Sequence, residues 1–182
     1  MDEPAAITIR AETQIPQVGE FTPLLAAYYD GIAAQLRELG GPEFDPAPFI
    51  DDFWAHIGDV LPPNGRLYTA RDREGRILGQ GSLRVAGGGV GEMKRLYVVP
   101  EARGLSLGRR LVEARIAAAR EMGLRSLNAD TWRNNTPMLE LYGSLGFERV
   151  DLFEDSATYH LMPDLAAYMV FLERVLDPVT FP

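Results

Sequence analysis

Apolar and polar residues alternate from Ile7 to Thr13, with Ile7, Ile9 and Ala11 set against Thr8, Arg10 and Glu12, the two-residue period of a half-buried strand. Pro16 to Glu20 interrupts it. Thr22-Pro23 then supplies a helix cap followed by a proline suited to the first turn. Behind it Leu25, Tyr28, Ile32, Leu36 and Leu39 recur at three and four, predicting an amphipathic helix that ends at Gly40-Gly41-Pro42. Asp45-Pro46 opens a second helix with Phe49, Phe53, Ile57 and Leu61 on one stripe and Trp54 beside it, stopped by Pro62-Pro63-Asn64-Gly65.

The middle of the chain changes to strand character. Leu67 to Ala70 and Ile77 to Val85 read as strands joined by a polar turn over Asp72 to Gly75, and Gly87-Gly88-Gly89 turns the chain back into a further strand, Val90 to Val99. A helix over Leu107 to Met122 places Leu107, Leu111, Ala114 and Ala118 on one face and ends at Gly123. Leu124 to Trp132 is another strand, Pro137 to Leu145 a short helix, and Phe147 to Val150 with Ala157 to Leu161 the closing strands. Leu165, Tyr168, Leu172 and Val175 then stand at helical spacing, predicting a last helix over Asp164 to Leu176.

Between the Val90–Val99 strand and the following helix lies Arg103-Gly104-Leu105-Ser106-Leu107-Gly108-Arg109-Arg110. Two glycines and a serine leave backbone N–H groups uncovered at a helix N-terminus, where the unpaired donors and the dipole favour an anion. Arginine forks suit the oxygens of a pyrophosphate. From Lys94 to Arg115 there are six basic and two acidic residues, an excess of four positive charges in a chain whose net charge is −8. Two familiar phosphate loops do not fit. A P-loop needs a Lys-Ser or Lys-Thr pair after wider glycine spacing, and Gly79-Gln80-Gly81 and Gly87-Gly88-Gly89 sit in or between strands, not between a strand and a helix.

The spacing Arg103-x-x-Ser106-x-Gly108 resembles the Gln/Arg-x-x-Gly-x-Gly/Ala signature of the GNAT superfamily of acyl-CoA N-acyltransferases, with Ser106 where the family usually carries its first glycine. The resemblance runs from Gly91 to Pro100, through the loop and its helix, to Asn135 and Leu141-Tyr142-Gly143-Ser144-Leu145-Gly146-Phe147. It implies an α/β (α+β) fold with a mixed, mostly antiparallel central sheet flanked by helices on both faces. The last helix would be an addition to that fold. The resulting division is a GNAT-like domain over residues 1–162 and a C-terminal helical extension over 163–182 packed on it.

The same resemblance implies transfer of an acetyl group from acetyl-CoA to a primary amine by direct attack in a ternary complex. A protonated amine must lose a proton, and Glu92, expected to share a face with Leu96 and Val98, is the candidate base. Tyr142 is the candidate acid for the departing thiolate. Val98 is expected to polarise the thioester through its N–H, Tyr97 and Val98 to pair with pantetheine, and Arg103, Gly104, Leu105, Ser106, Leu107, Gly108 and Arg109 to hold the diphosphate. Asn135 is expected to touch the cofactor or to cap the helix after it. Asp130 is a second carboxylate for the acceptor cleft, and Lys94 and Arg95 either lean toward phosphate or cover apolar surface with their stems.

Composition narrows the remaining classes. With 182 residues, 46% of them hydrophobic, the chain suits one α/β domain. It has no cysteine, which excludes disulfides and thiolate chemistry, and its two histidines, His56 and His160, are read as structural, so no metal site is expected. No apolar run is long enough for a membrane span and Met1-Asp2-Glu3-Pro4 has no leader character, so a cytoplasmic protein is expected. A pI near 4.8 argues against nucleic acid and is compatible with a cationic amine. The rival reading is a non-catalytic acyl-CoA sensor whose acceptor site the last helix closes; that helix is also the candidate for homodimer formation.

Overall fold

The computed structural model describes residues 7–153 and 156–176, leaving the N-terminal Met1–Pro4 and residues 177–182 of the expected extension outside the described residues. Seven strands form one sheet among the described residues, in the order β1-β2-β3-β4-β5-β7-β6. They are β1 (Thr8–Glu12), β2 (Gly65–Arg71), β3 (Ile77–Gly87), β4 (Val90–Val98), β5 (Ser126–Trp132), β6 (Glu148–Val150) and β7 (Met169–Val175). Every neighbouring pair is antiparallel except β4 and β5. Helices α1 (Val18–Glu38) and α2 (Ala47–Ala55) cover one face. On the other lie α3 (Leu107–Glu121) and α4 (Thr136–Ser144), while α5 (Ala157–Leu161) follows β6.

Each layer follows from its side chains. Leu107, Leu111, Val112 and Ile116 of α3 are buried with Leu83, Met93 and Leu127 of the sheet. On the opposite face Phe21, Leu24 and Leu25 of α1 pack with Phe53 of α2 and Leu67 of β2, and Phe21 stacks on Phe53 at 5.5 Å. Helix α1 starts at Val18, before the expected Thr22 cap, and carries Pro23 inside it. At the sixth helical position the proline lies past the first turn and withholds the donor that the Gly19 carbonyl would otherwise receive, and the Thr22 hydroxyl accepts the Trp54 indole N–H. The expected long second helix is α2 followed by a 3-10 turn over Ile57–Val60.

Two segments differ in kind from the sequence reading. Ala157–Leu161 is helical, not a strand, because Ser156 caps it by accepting the Tyr159 N–H. Residues 164–176 are not a helix either: a 3-10 turn over Pro163–Tyr168 leads into β7, which lies between β5 and β6. Phe171 and Leu172 are adjacent and both buried, as expected of a strand covered on both faces, and such a run carries no two-residue period. The idea that a final helix closes the acceptor site therefore falls: its residues complete the sheet.

Candidate active site

Strands β4 and β5 pair in register from Val90/Ser126 to Met93/Ala129 and then separate. Beyond that point Lys94 to Val98 and Asp130 to Trp132 line the two sides of a cleft of about 670 Å³. Across β3 the register slips between Gln80/Tyr97 and Ser82/Lys94, so Gly81 faces two residues, Arg95 and Leu96. Arg95 sits at φ 56 in this bulge. The bulge resets the alternation of β4. Gly91 and Met93, then Leu96 and Val98, face α3, whereas Glu92, Lys94, Arg95 and Tyr97 face the other way. Glu92 does not share a face with Leu96 and Val98 as expected, because an extra residue inverts the period.

At one end of the cleft stands the α3 N-terminus. Gly104 has φ 83 and Ser106 φ 58, and this left-handed pair turns the chain from the 3-10 turn over Pro100–Ala102 into the helix. Among the described residues no N–H from Gly104 to Arg109 has a backbone acceptor. These donors, with the helix dipole, form an anion seat. Arg103, Gly104, Ser106, Leu107, Gly108 and Arg109 line the cleft, whereas the Leu105 side chain is 53% exposed. Arg103 donates to the Val98 carbonyl, Arg109 to the Ser144 hydroxyl, and Arg110 reaches away to the Ile7 carbonyl. The basic cluster read along the chain is thus divided: Arg103 and Arg109 stay at the seat, and Lys94, Arg95 and Arg115 are committed elsewhere.

On the β4 side, the Val99 N–H donates to the Leu78 carbonyl. The alternation of an antiparallel ladder then turns the Val98 N–H and carbonyl away from β3, toward the gap. Tyr97 and Val98 both line the cleft. Asn135 also lines it and stands at the N-cap position of α4, but its side chain makes no capping bond; its amide donates to the Thr131 hydroxyl at 3.2 Å.

Tyr142, on α4, is buried and lines the same cleft, packed against Phe147 with ring centroids 4.9 Å apart. Burial pushes its phenol up; the Arg115 guanidinium pulls it down, Asp130 adds to the rise, and the balance lies above the ordinary tyrosine value. Glu92 is 1% exposed and stands behind the wall, its carboxylate 2.5 Å from Arg84 Nε and 3.6 Å from Lys94 Nζ. Lys94 reaches through to the cleft, donating to Asp130 at 2.7 Å and to the Thr158 hydroxyl at 2.5 Å. Burial works against its ammonium, but Asp130 and Glu92 outweigh it and hold the pKa above the usual lysine value. Asp130, which also accepts from Ser156, lines the cleft with a side chain only 8% exposed, and Glu92 does not line it. Arg95 turns to the Tyr29 hydroxyl, Asp52 and the Phe53 ring, away from the phosphate end.

The residue that sequence reasoning missed is Arg115. It is fully buried on the inner face of α3, where a charged side chain reads as solvated, although its position four beyond Leu111 and eight beyond Leu107 put it on the apolar stripe. His56 is exposed and bonds only its own helix, and His160 is an exposed residue of α5. Among the described residues no cluster of His, Cys, Asp or Glu could hold a metal ion, and no helix is long and apolar enough to cross a membrane.

The profile of the Acetyltransferase (GNAT) family matches residues 29–147. An uncharacterised N-acetyltransferase of Schizosaccharomyces pombe is 43% identical over 161 residues, covering 83% of this chain and 88% of the relative. A Klebsiella pneumoniae structure described as an acyl-CoA N-acyltransferase superposes with a TM-score of 0.64 at 28% identity, covering 94% of this chain and 98% of that one. A Bacillus anthracis structure described as a streptothricin acetyltransferase in complex with acetyl coenzyme A shares the fold at 20% identity, with a TM-score of 0.53 over 66% of this chain and 68% of that one. With its sheet splayed at Met93, its bare helix tip and more than half its length matched, the chain belongs to the GNAT acetyltransferase family and is an N-acetyltransferase.

Proposed function

We propose that this acetyltransferase moves the acetyl group of acetyl-CoA to a primary amine by direct attack in a ternary complex. The observation that carries the reading is one cleft lined both by the helix tip over Gly104–Arg109, whose backbone N–H groups lack backbone acceptors among the described residues, and by Tyr142 and Asp130. The N–H groups from Gly104 to Arg109, with Arg103 and Arg109, bind the diphosphate. The outward backbone of Val98, with Tyr97 beside it, meets the pantetheine arm, and the Val98 N–H polarises the thioester carbonyl. Asn135 orients the arm from the other side. As the amine nitrogen bonds to the carbonyl carbon, the carbon–sulfur bond breaks, Tyr142 gives its proton to the sulfur, and the surplus amine proton leaves toward the Asp130 carboxylate. Glu92, expected as the base, acts at one remove: bonded to Arg84 and 3.6 Å from Lys94, it helps to hold the ammonium that in turn fixes Asp130 at the cleft. The absence of cysteine suits a cytoplasmic enzyme.

The test is thiol release from acetyl-CoA with a panel of primary amines, run with calorimetric titration of acetyl-CoA. Native protein binds acetyl-CoA and releases thiol only with an amine present. Arg103→Ala weakens binding about tenfold, whereas Tyr142→Phe and Asp130→Asn each lower kcat about 10²-fold with binding retained. Binding without turnover on every amine would point to the sensor reading, and full turnover in Asp130→Asn would remove its role.

A further inference from the structure

A guanidinium buried without a carboxylate is expensive, and Arg115 is in that position. Its residue is 0% exposed. Nε donates to the Leu111 carbonyl at 3.0 Å, and Nη1 reaches the Ser82 and Lys94 carbonyls at 3.2 and 3.4 Å. These bonds tie α3 to β3 and β4 beside the bulge. The space is made by Gly81, where a Cβ would lie 2.9 Å from the Arg115 Cζ. Among the described residues Nη2 finds no acceptor in good geometry, and it is wholly buried. The ionisable groups acting on Arg115 are phenols, Tyr142 before Tyr28, and none is a carboxylate.

We propose that Arg115 is a positioning residue for the Tyr142 hydroxyl, its buried and only partly bonded guanidinium lying beside the buried phenol so that its charge is paired when the phenol oxygen becomes negative. This rests on the reading of Tyr142 as the acid. While the phenol is neutral it answers the buried positive charge weakly. When the Tyr142 proton passes to the departing sulfur, the phenolate left behind is the counter-ion Arg115 otherwise lacks. The interaction is stronger in the transition state than in the ground state, and such a difference accelerates a reaction. The amine's surplus proton then restores the phenol by way of Asp130 and solvent, so charge and protons balance over a turnover. The charged and titratable groups around the hydroxyl come from four elements: Arg115 on α3, Asp130 on β5, Lys94 on β4 and Tyr28 on α1. Of these, Arg115 and Lys94 favour the phenolate, and Lys94 already has carboxylate partners.

The experiment is a double-mutant cycle on kcat using native protein, Arg115→Met, Tyr142→Phe and the double variant, with Arg115→Lys as a charge-keeping control. In the native background Arg115→Met is expected to lower kcat at least about tenfold while KM for acetyl-CoA stays within about twofold. With Tyr142 already replaced by phenylalanine, the same change is expected to cost less than about twofold, because the group it serves is gone. Arg115→Lys should recover much of the rate. Equal losses from Arg115→Met in both backgrounds, or a loss that appears in KM, would overturn the proposal and leave Arg115 as a structural tie. If Tyr142→Phe alone keeps full activity, the acid assignment itself fails. Should Arg115→Met not fold, the cycle is read with Arg115→Lys, and equal losses in the two backgrounds again overturn the proposal.

Discussion

Replacing Gly81 with alanine probes how Arg115 is seated without touching its charge. A Cβ at position 81 would stand 2.9 Å from the Arg115 Cζ and 3.0 Å from its Nε. Packed heavy atoms prefer about 3.5–4.0 Å, so the guanidinium must retreat by about 0.5–1 Å. That stretches the bonds to Ser82 and Lys94, already 3.2 and 3.4 Å, beyond useful length. Hydrogen bonds from a charged donor contribute about 1.5–3 kcal/mol each, and with the longer one weak at the outset the loss comes to about 2–4 kcal/mol. For a chain of this size the corresponding fall in Tm is about 5–12 °C. Urea unfolding of Gly81→Ala in the native and Arg115→Met backgrounds is the assay. With methionine at 115 a flexible thioether yields to the new methyl and the cost drops below about 1 kcal/mol. The same cost in both backgrounds would refute the placement of the guanidinium against Gly81.

Ser106 holds φ 58, a conformation costing a residue with a Cβ about 1–2 kcal/mol, so Ser106→Gly should raise stability by about 0.5–1 kcal/mol after glycine's own entropy cost. A lower urea midpoint would contradict this. Because the Lys94 pKa is raised in the folded state, its contribution to stability is full below the unfolded lysine value of about 10.4 and lost as pH climbs through the folded one. Lys94→Met should therefore flatten the alkaline fall of the unfolding free energy, and a curve of unchanged slope above that pH would count against the ion pairs described for it. Leu111, fully buried between α3 and the sheet, should cost about 3–5 kcal/mol on change to alanine, measured by chemical denaturation.

The sheet up to β5 and the helix tip were readable because their signals are local. Alternation sets β1, three glycines turn β3 into β4, and the periodic face of α3 together with Gly104 and Gly108 marks the anion seat. Features decided by tertiary contact were not. The apolar spacing from Leu165 to Val175 is that of a helix, yet residues 169–175 form a strand because β5 has an open edge to satisfy. The bulge at Arg95 leaves no composition cue, yet it separates Glu92 from Leu96 and Val98: alternation carried straight through puts the three on one face, and one extra residue puts Glu92 on the opposite face. Arg115 was hidden by its charge, although its position on the apolar stripe marked it.

The insertion of β7 between β5 and β6 bears on how the molecule is made. Until residues 169–175 have left the ribosome, β6 has no partner and one flank of β5 carries a row of unanswered amides and carbonyls. The half of the enzyme that holds Asp130 must wait for residues 169–175, while β1 to β4 can already associate in the nascent chain. Translation order thus has the loop over Arg103–Arg109 emerge long before the far wall of the cleft can be completed.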